Sequence, residues 1–148
     1  MIIVWLQARL GPEIALFQQR TWQVRKEQNG SLTMATSIKK NQAEQVLVIL
    51  VTVANRKDAV RIGQEMVQMK LAACANVIPG IQSIYRWKGK VVKAQEVLLI
   101  LKTAKPRYHA LEKAIKTMHA YEVPEIIALP VTEGLEAYVG WVRSEVHS

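Results

Sequence analysis

Hydrophobic residues follow two different spacings after position 45, and these spacings predict a strand followed by a helix. The run Val46–Ala54 is β-branched and almost continuously apolar, which is typical of a central strand buried on both faces. Asn55 then offers a helix N-cap. The next apolar residues are spaced by three, four and three positions, which predicts the inner face of a helix that ends near Leu71. The residues on this face are Ala59, Ile62, Met66 and Met69.

The next segment has the pattern of a long β-hairpin. Cys74–Trp87 returns to strand chemistry with Pro79 and Gly80 inside it, and because proline lacks a backbone donor we expect a bulge, a bend or an edge position there. Lys88 and Gly89 predict a two-residue turn in which glycine supplies a positive φ. Val91–Thr103 is the predicted return strand.

The last third of the chain predicts a helix, a strand and a second helix. Pro106 opens the first helix at a position where its missing N–H costs nothing. The predicted buried face of that helix consists of Tyr108, Leu111, Ile115 and Met118. Glu125–Thr132 is the predicted strand, and the final amphipathic helix is carried by Leu135, Tyr138, Val139, Val142 and Val146. The order β-α-β-β-α-β predicts an α+β, ferredoxin-like sandwich with a long β-hairpin and an added C-terminal helix.

This architecture predicts a homo-oligomer. A sheet with both helices on one face leaves its other apolar face bare, and such a face requires a partner. Strands of about 12 residues span ~40 Å, whereas a domain of about 100 residues has a diameter near ~35 Å, so the hairpin tip overhangs its own domain. An exposed apolar overhang pairs with another subunit or aggregates. The number of subunits does not follow from these patterns.

Residues 1–45 lack a clear hydrophobic period, although they carry two of the four Trp and the only Phe. We interpret residues 1–45 as a poorly ordered extension and residues 46–148 as the folded domain. Met34 is a plausible alternative translation start, and a docking or membrane-surface arm is the functional alternative for the extension. The apolar segment that begins at Met1 has no basic start and is ended early by Arg9. We therefore expect no secretion signal and a cytoplasmic location.

Composition narrows the class of protein further. The chain has 148 residues and a formal net charge of +8, which favours anionic partners, but the charges are dispersed and predict solvated faces. The lone cysteine, Cys74, excludes an intrachain disulfide framework and a multi-cysteine zinc site. The longest apolar run is far shorter than the ~20 residues of a membrane helix, so we expect no membrane partner.

Several segments resemble the CutA divalent-cation-tolerance family in the same order along the chain: Leu71–Gly80, Ser83–Lys90, Ile100–Thr103, His119–Glu125, and Tyr138 with Trp141. The resemblance covers nearly the whole periodic part of the chain. It implies a homotrimer of ferredoxin-like subunits, related in architecture to PII proteins. It also implies a role in the response to copper and other divalent metal ions, without catalytic activity. The chain departs from the family at Ala120, where proline is common, and at Lys88, where an acid is common in the hairpin turn.

The candidate metal ligands are His119 and Cys74. Copper prefers imidazole and sulfur ligands, and the resemblance covers both residues. His109 and His119 are ten residues apart on one predicted helix and therefore ~15 Å apart, so they cannot share an ion. A copper site, or a site for another divalent cation, must be assembled across strands or subunits. The alternative is that His119 caps its helix and Cys74 is a small core residue.

The other motif residues form a candidate seam or pocket between subunits: Tyr85, Trp87, Glu96, Lys102, Tyr121, Glu122 and Trp141. In one interpretation the aromatic residues close the seam. In the other, the residues form a cleft in which Lys102 contacts an anion, as in a PII-like signalling trimer. We expect no enzyme, because neither a nucleophile nor a phosphate loop accompanies the acids. We also expect no nucleic-acid partner, because the predicted strand Val91–Thr103 lacks the stacking aromatics of RNA-recognition domains.

Overall fold

The computed structural model describes residues 45–147, and within this range four strands and three α-helices form an α+β fold. The elements in chain order are β1 (Val46–Val53), α1 (Arg56–Gln68), β2 (Cys74–Trp87), β3 (Lys90–Ala104), a 3-10 helix (Lys105–Arg107), α2 (Tyr108–Met118), β4 (Ile126–Pro130) and α3 (Glu136–Val146). The predicted α+β class is confirmed. The predicted extension, including Met34, lies outside the described residues.

The four strands form one sheet in the order β2-β3-β1-β4, and every neighbouring pair is antiparallel. Ile49 of β1 faces Leu101 on one side and Ala128 on the other. β1 is therefore central, as its continuous apolar run predicts. β3 separates β1 from β2, so the connection through α1 crosses over one strand.

The hydrophobic core lies between one face of the sheet and the helices α1 and α2. Residues with no solvent exposure come from both layers: Ile49, Val51, Ala59, Ile62, Met66, Leu99, Leu101, Leu111 and Ile115. Burial of each large aliphatic side chain stabilises the fold by about 1.5–3 kcal/mol. One buried polar side chain is satisfied locally, because Thr103 Oγ1 donates to the Leu71 carbonyl at 2.6 Å.

Helix α1 begins as predicted but ends earlier. Asn55 is the N-cap, and its side chain accepts a hydrogen bond from the Asp58 amide at 2.9 Å. The helix stops at Gln68 because Lys70 takes a positive φ of 53°, and the prediction that Met69 is buried is wrong, since it is 55% exposed. Leu71 is buried instead, because its amide turns back to a carbonyl of the last helical turn.

The boundaries of helices α2 and α3 also differ from the sequence predictions. Pro106 lies in the 3-10 helix rather than at the start of α2, which begins at Tyr108. In α3, Val142 and Val146 are buried as predicted, whereas Leu135 precedes the helix and is 75% exposed. Among residues 45–147 no helix is long and apolar enough to cross a membrane.

The β2–β3 hairpin contains the predicted bulge and turn. Pairing shifts by one residue between Pro79 and Ile81, and Gly80 occupies the bulge with a φ of 79°. At the tip, Lys88 and Gly89 both have a positive φ, as a two-residue hairpin turn requires. Because the bulge resets the alternation of side chains, the β2 residues Ile81, Ser83, Tyr85 and Trp87 lie on the same face of the sheet as Glu96.

The sheet face opposite the core is partly uncovered in the single chain. Ile78, Ile127 and Leu129 lie on this face by strand alternation and are each more than 40% exposed. Helix α3 covers one end of the face, where Tyr138 lies close enough to Cys74 for burial and the Cys74 thiol to raise the pKa of Tyr138. The apolar face that the sequence predicts to need a partner is therefore present.

Candidate functional site

A groove of about 680 Å³ runs between the outer half of the hairpin and the segment that follows α2. Tyr85 and Trp87 line it from β2, and Tyr121 lines it from the segment after α2. The bulge at Gly80 places the two β2 aromatics on this side of the hairpin. The volume lies within the range of about 300–1,000 Å³ that small-ligand sites occupy.

The charged lining of the groove is entirely acidic. Glu96, Glu122 and Glu125 line it, and none of the described lining residues is lysine or arginine. This contrasts with the formal net charge of +8 for the whole chain. Carboxylates in a lining that contains no lysine or arginine produce a negative potential inside the groove, which attracts cations and repels anions.

The most buried of these carboxylates is Glu96, which is 5% exposed. The Tyr121 hydroxyl donates a hydrogen bond to Glu96 Oε1 at 2.7 Å. Among the described residues no lysine, arginine or histidine forms an ion pair with Glu96. Burial, together with the hydrogen bond to the Glu96 carboxylate, raises the pKa of Tyr121 to about 12. The hydroxyl therefore stays protonated and remains a donor to Glu96 at physiological pH.

His119 does not line the groove but bonds two residues that do, and both of its ring nitrogens are engaged. It is the C-cap residue of α2. Its Nε2 lies 2.9 Å from the Thr52 carbonyl, and its Nδ1 accepts the Tyr121 amide at 3.1 Å. Since Nδ1 accepts, the proton of a neutral ring is on Nε2 and is donated to the carbonyl. His119 therefore fixes the backbone of Tyr121, the residue that donates to Glu96.

Cys74, Lys102 and Trp141 lie elsewhere. Cys74 and Lys102 are cross-strand partners, and Lys102 Nζ contacts Cys74 Sγ at 3.8 Å and donates to Asn76 Oδ1. Glu96 is six positions away from Lys102 along β3, which corresponds to roughly 20 Å. Trp141 borders a second groove that includes Cys74 and residues of α1. The predicted seam or pocket residues are thus divided between two ends of the sheet.

The candidate metal ligands do not meet within one chain. Cys74 pairs with Lys102, whereas His119 bonds Thr52, which pairs with Leu98. Lys102 and Leu98 are four residues apart on β3, which corresponds to roughly 13 Å. Cys74 and His119 are therefore attached to different parts of the sheet. Across residues 45–147, no group of three or more His, Cys, Asp or Glu side chains is arranged to hold a metal ion. The donor set that residues 45–147 of one chain supply is therefore incomplete for copper.

Three polar residues of the groove are not among the predicted site residues. Thr52, Ser83 and Glu125 line the groove together with the residues named above. Thr52 carries a sequence signal, because it is the polar residue within the apolar run of β1. Ser83 has no such signal, since the bulge at Gly80 determines which face of the sheet it occupies.

A model of the family described as CutA1 divalent ion tolerance protein matches residues 47–145 of the chain. The divalent-cation tolerance protein CutA of Thermus thermophilus is 46% identical over 96 residues, which is 65% of this chain and 93% of that protein. The chloroplastic protein CutA of Arabidopsis thaliana is 42% identical over 102 residues, 69% of this chain and 56% of that protein. This chain thus matches little more than half of the Arabidopsis protein.

The fold agrees with solved structures as well. The structure of the divalent cation tolerance protein Cut A1 from Thermus thermophilus superposes with a TM-score of 0.67 at 44% sequence identity. The superposition covers 68% of this chain and 97% of the Thermus chain. The residues that the family model matches, 47–145, include all residues that line the groove.

Proposed function

Because this chain belongs to the CutA1 divalent ion tolerance family, we propose that it contributes to the response to divalent metal ions by binding copper or another divalent cation as a homotrimer. The role is one of binding, and we assign no catalytic step to it. A cytoplasmic location is part of the proposal, and fractionation of cells that express the tagged chain tests it.

The observation that carries the proposal is the acidic lining of the groove. Glu96, Glu122 and Glu125 face a cavity of ligand size without a lysine or arginine among the described lining residues. A site for a small anion needs the opposite polarity. Lys102, which the anionic-ligand alternative requires as a contact, is held by Asn76 and Cys74 outside the groove. The geometry therefore favours a cation over an anion.

The exposed apolar residues support assembly of several copies. Ile127 and Leu129 are each 47% exposed on the uncovered sheet face. Tyr85 and Trp87 are at least 40% exposed beside the groove. Large apolar and aromatic side chains in these places are typical of a subunit seam. In the proposed trimer this seam excludes water from the groove.

The metal ligands in this proposal come from more than one copy of the chain. The described residues of one copy supply an incomplete donor set, since His119 and Cys74 are separated and the three groove carboxylates do not form a coordinating group. His119 and Cys74 are the ligands proposed for copper, which prefers nitrogen and sulfur. To coordinate through Nδ1, His119 must give up the hydrogen bond that this atom accepts from the Tyr121 amide. The groove carboxylates are the ligands proposed for cations that prefer oxygen.

A competitive metal titration tests the proposal. Copper(II) and manganese(II) are titrated separately into metal-stripped full-length protein, in a buffer ligand that suppresses stray surface binding. We expect saturation at a whole-number ratio per subunit. His119→Ala or Cys74→Ser removes copper binding if these residues are ligands, and His109→Ala is the matched control because His109 is solvent-exposed and contacts Glu112.

The groove is tested in the same titration. Glu122→Gln with Glu125→Gln weakens manganese binding if the carboxylates hold the cation, and Glu133→Gln with Glu136→Gln is the matched control outside the groove. Absence of saturable binding of both metals contradicts the proposed cation binding. The molar mass in solution tests the assembly separately, and a monomer's mass contradicts the trimer.

A further inference from the structure

Glu96 is a buried carboxylate whose charge is not neutralised by the described part of its own chain. It is 5% exposed in the single chain, and assembly with further copies can only bury it more. The Tyr121 hydroxyl donates to Oε1 at 2.7 Å, and no other donor within residues 45–147 reaches this side chain. Burial of a charge is unfavourable unless the charge is paired. Glu96 therefore requires a cation.

The second oxygen of Glu96 opens to the groove. Among the described side chains, no fully enclosed oxygen or nitrogen lacks a hydrogen-bond partner. Since no described donor reaches Oε2, this oxygen is not enclosed by the chain, and the cavity that Glu96 lines is the groove. Glu96 pairs with Ile81 and is adjacent to Val97, which pairs with β1, so it lies at the base of the hairpin and not at its overhanging tip. A site at this carboxylate therefore does not depend on a free surface at the tip.

Three aromatic side chains line the groove together with Glu96: Tyr85, Trp87 and Tyr121. Tyr85 lies close enough to Tyr121 to contribute to its raised pKa, so these two side chains are neighbours. An aromatic ring attracts an ammonium group within about 6 Å of its centre, because the face of the ring is negative. A metal ion needs several converging donors, and residues 45–147 contain no group of three or more His, Cys, Asp or Glu side chains that could hold one. The lining is therefore more typical of a site for an organic cation.

Carboxylates lie on both walls of the groove. Glu96 belongs to β3, whereas Glu122 and Glu125 belong to the segment that follows α2. The cavity of about 680 Å³ has the size of a site for a small organic molecule and is far larger than one metal ion. A cation with a single charge leaves one wall uncompensated. A cation with a charge at each end and an apolar middle compensates both walls and contacts the aromatic rings between them.

We propose that the groove binds a linear alkyl diamine, which is a divalent organic cation, with one ammonium group at Glu96 and the other at Glu122 and Glu125. The methylene chain lies along Tyr85 and Tyr121. The inference rests on the proposed binding of a cation in the groove and names the chemical class of that cation. At the seam of the proposed trimer the diamine is enclosed between copies, where exclusion of water strengthens its contacts with the carboxylates.

Calorimetric titration tests the inference. 1,4-Diaminobutane and n-butylamine, which has the same carbon chain but one charge, are titrated separately into metal-stripped full-length protein. We expect saturable binding of the diamine, and binding of butylamine that is weaker by at least ~10-fold because it lacks one charged hydrogen bond. Glu96→Gln should weaken diamine binding by about 10- to 100-fold. Glu133→Gln makes the same change of charge at an exposed residue outside the groove and is the matched control.

A second pair of variants tests the aromatic contact at unchanged charge. Tyr85→Leu removes the ring and should weaken diamine binding by about two- to fivefold, whereas Tyr85→Phe keeps the ring and should retain the affinity. Manganese(II) titrated into the same protein separates this inference from the proposed function. Saturable binding of manganese without binding of the diamine overturns the inference and leaves the proposed function intact. Absence of binding of both contradicts the two proposals together.

Three further outcomes overturn the inference. An equal loss of diamine binding in Glu133→Gln shows attraction by net charge alone. An affinity for the diamine that neither Glu96→Gln nor Tyr85→Leu changes places the diamine outside the groove. A lower molar mass of Glu96→Gln at unchanged secondary structure shows that a side chain of the neighbouring copy supplies the cation that Glu96 requires.

Discussion

Replacement of Tyr121 by phenylalanine tests the hydrogen bond at the centre of the groove. The change removes the hydroxyl that donates to Glu96 Oε1 at 2.7 Å and leaves the ring in place. A hydrogen bond to a charged group contributes about 1.5–3 kcal/mol. Because Tyr121 is only half-buried, we expect the free energy of unfolding to fall by about 1.5 kcal/mol at neutral pH.

A double-mutant cycle separates the bond from the effects of each residue alone. Urea unfolding at one fixed protein concentration is measured for the wild type, Tyr121→Phe, Glu96→Ala and the double variant. We expect a coupling free energy of about 1 kcal/mol. Tyr108→Phe is the control, because its hydroxyl donates to Glu112, which is more exposed than Glu96. A coupling indistinguishable from zero would refute the claim that this bond organises the groove.

The same residue predicts a loss of stability in alkali. Below pH 10 the tyrosine is protonated in both the folded and the unfolded chain, and its contribution is constant. Between pH 10 and about 12 the unfolded chain loses the proton that folded Tyr121 keeps, so stability falls as pH rises. A pKa of about 12 in the folded chain, against 10 in the unfolded chain, corresponds to a fall of about 2.7 kcal/mol in the free energy of unfolding. Because Tyr121 is half-buried, screening by solvent reduces the expected fall to about 1 kcal/mol.

Absorbance at alkaline pH checks this assignment directly. All four tyrosines of the chain lie in the described part, so the titration has four components. Tyr121→Phe should remove the component that titrates near pH 12. If it removes a component near pH 10 instead, the raised pKa belongs to another tyrosine and the groove argument is wrong.

Further variants test the packing. Thr103→Val leaves the Leu71 carbonyl without its 2.6 Å donor and should cost about 1–3 kcal/mol in urea unfolding. Gly80→Ala places a side chain at a φ of 79° and should cost about 1 kcal/mol, whereas Gly140→Ala, with open space around its new methyl group, should stabilise α3 by about 0.5–1 kcal/mol. Asn55→Ala removes the cap of α1 and should cost about 1 kcal/mol. A destabilised Gly140→Ala would contradict the open space and indicate contact with another copy.

The sequence predicts strands β1 and β2 well for different reasons, since β1 is almost continuously apolar whereas β2 is mostly exposed and ends at the turn of Lys88 and Gly89. The continuous apolar run of β1 and the bounds of β2 correspond to the structure within a residue. The end of α1 was missed because Lys70, rather than a glycine, takes the left-handed conformation that stops the helix. Met69 continues the apolar spacing of the helix in the sequence, but in the structure it follows the last helical residue and is exposed.

The sequence predicts which residues belong to the candidate site but not where they lie relative to one another. Tyr85, Glu96 and Tyr121 do meet in one groove, although 25 positions separate the last two. Lys102 belongs to the same predicted set, but it lies near the end of β3 that pairs with Cys74, away from the groove. Residue types and order along the chain cannot give this distance, because the strand register and the bulge at Gly80 determine it.

The acidic groove lies beside basic residues of the same hairpin, and this predicts the sign of a charge effect on cation binding. Reversal of Arg86 and Lys93 to glutamate removes positive potential near the groove, so it should leave cation binding equal or slightly stronger. Neutralisation of Glu122 and Glu125 should weaken cation binding. The effect of Arg86 and Lys93 should vanish at high salt, because exposed charges are screened beyond about 10 Å. If their reversal weakens cation binding instead, a loss of assembly rather than a local charge explains the result, and the molar mass must fall with it.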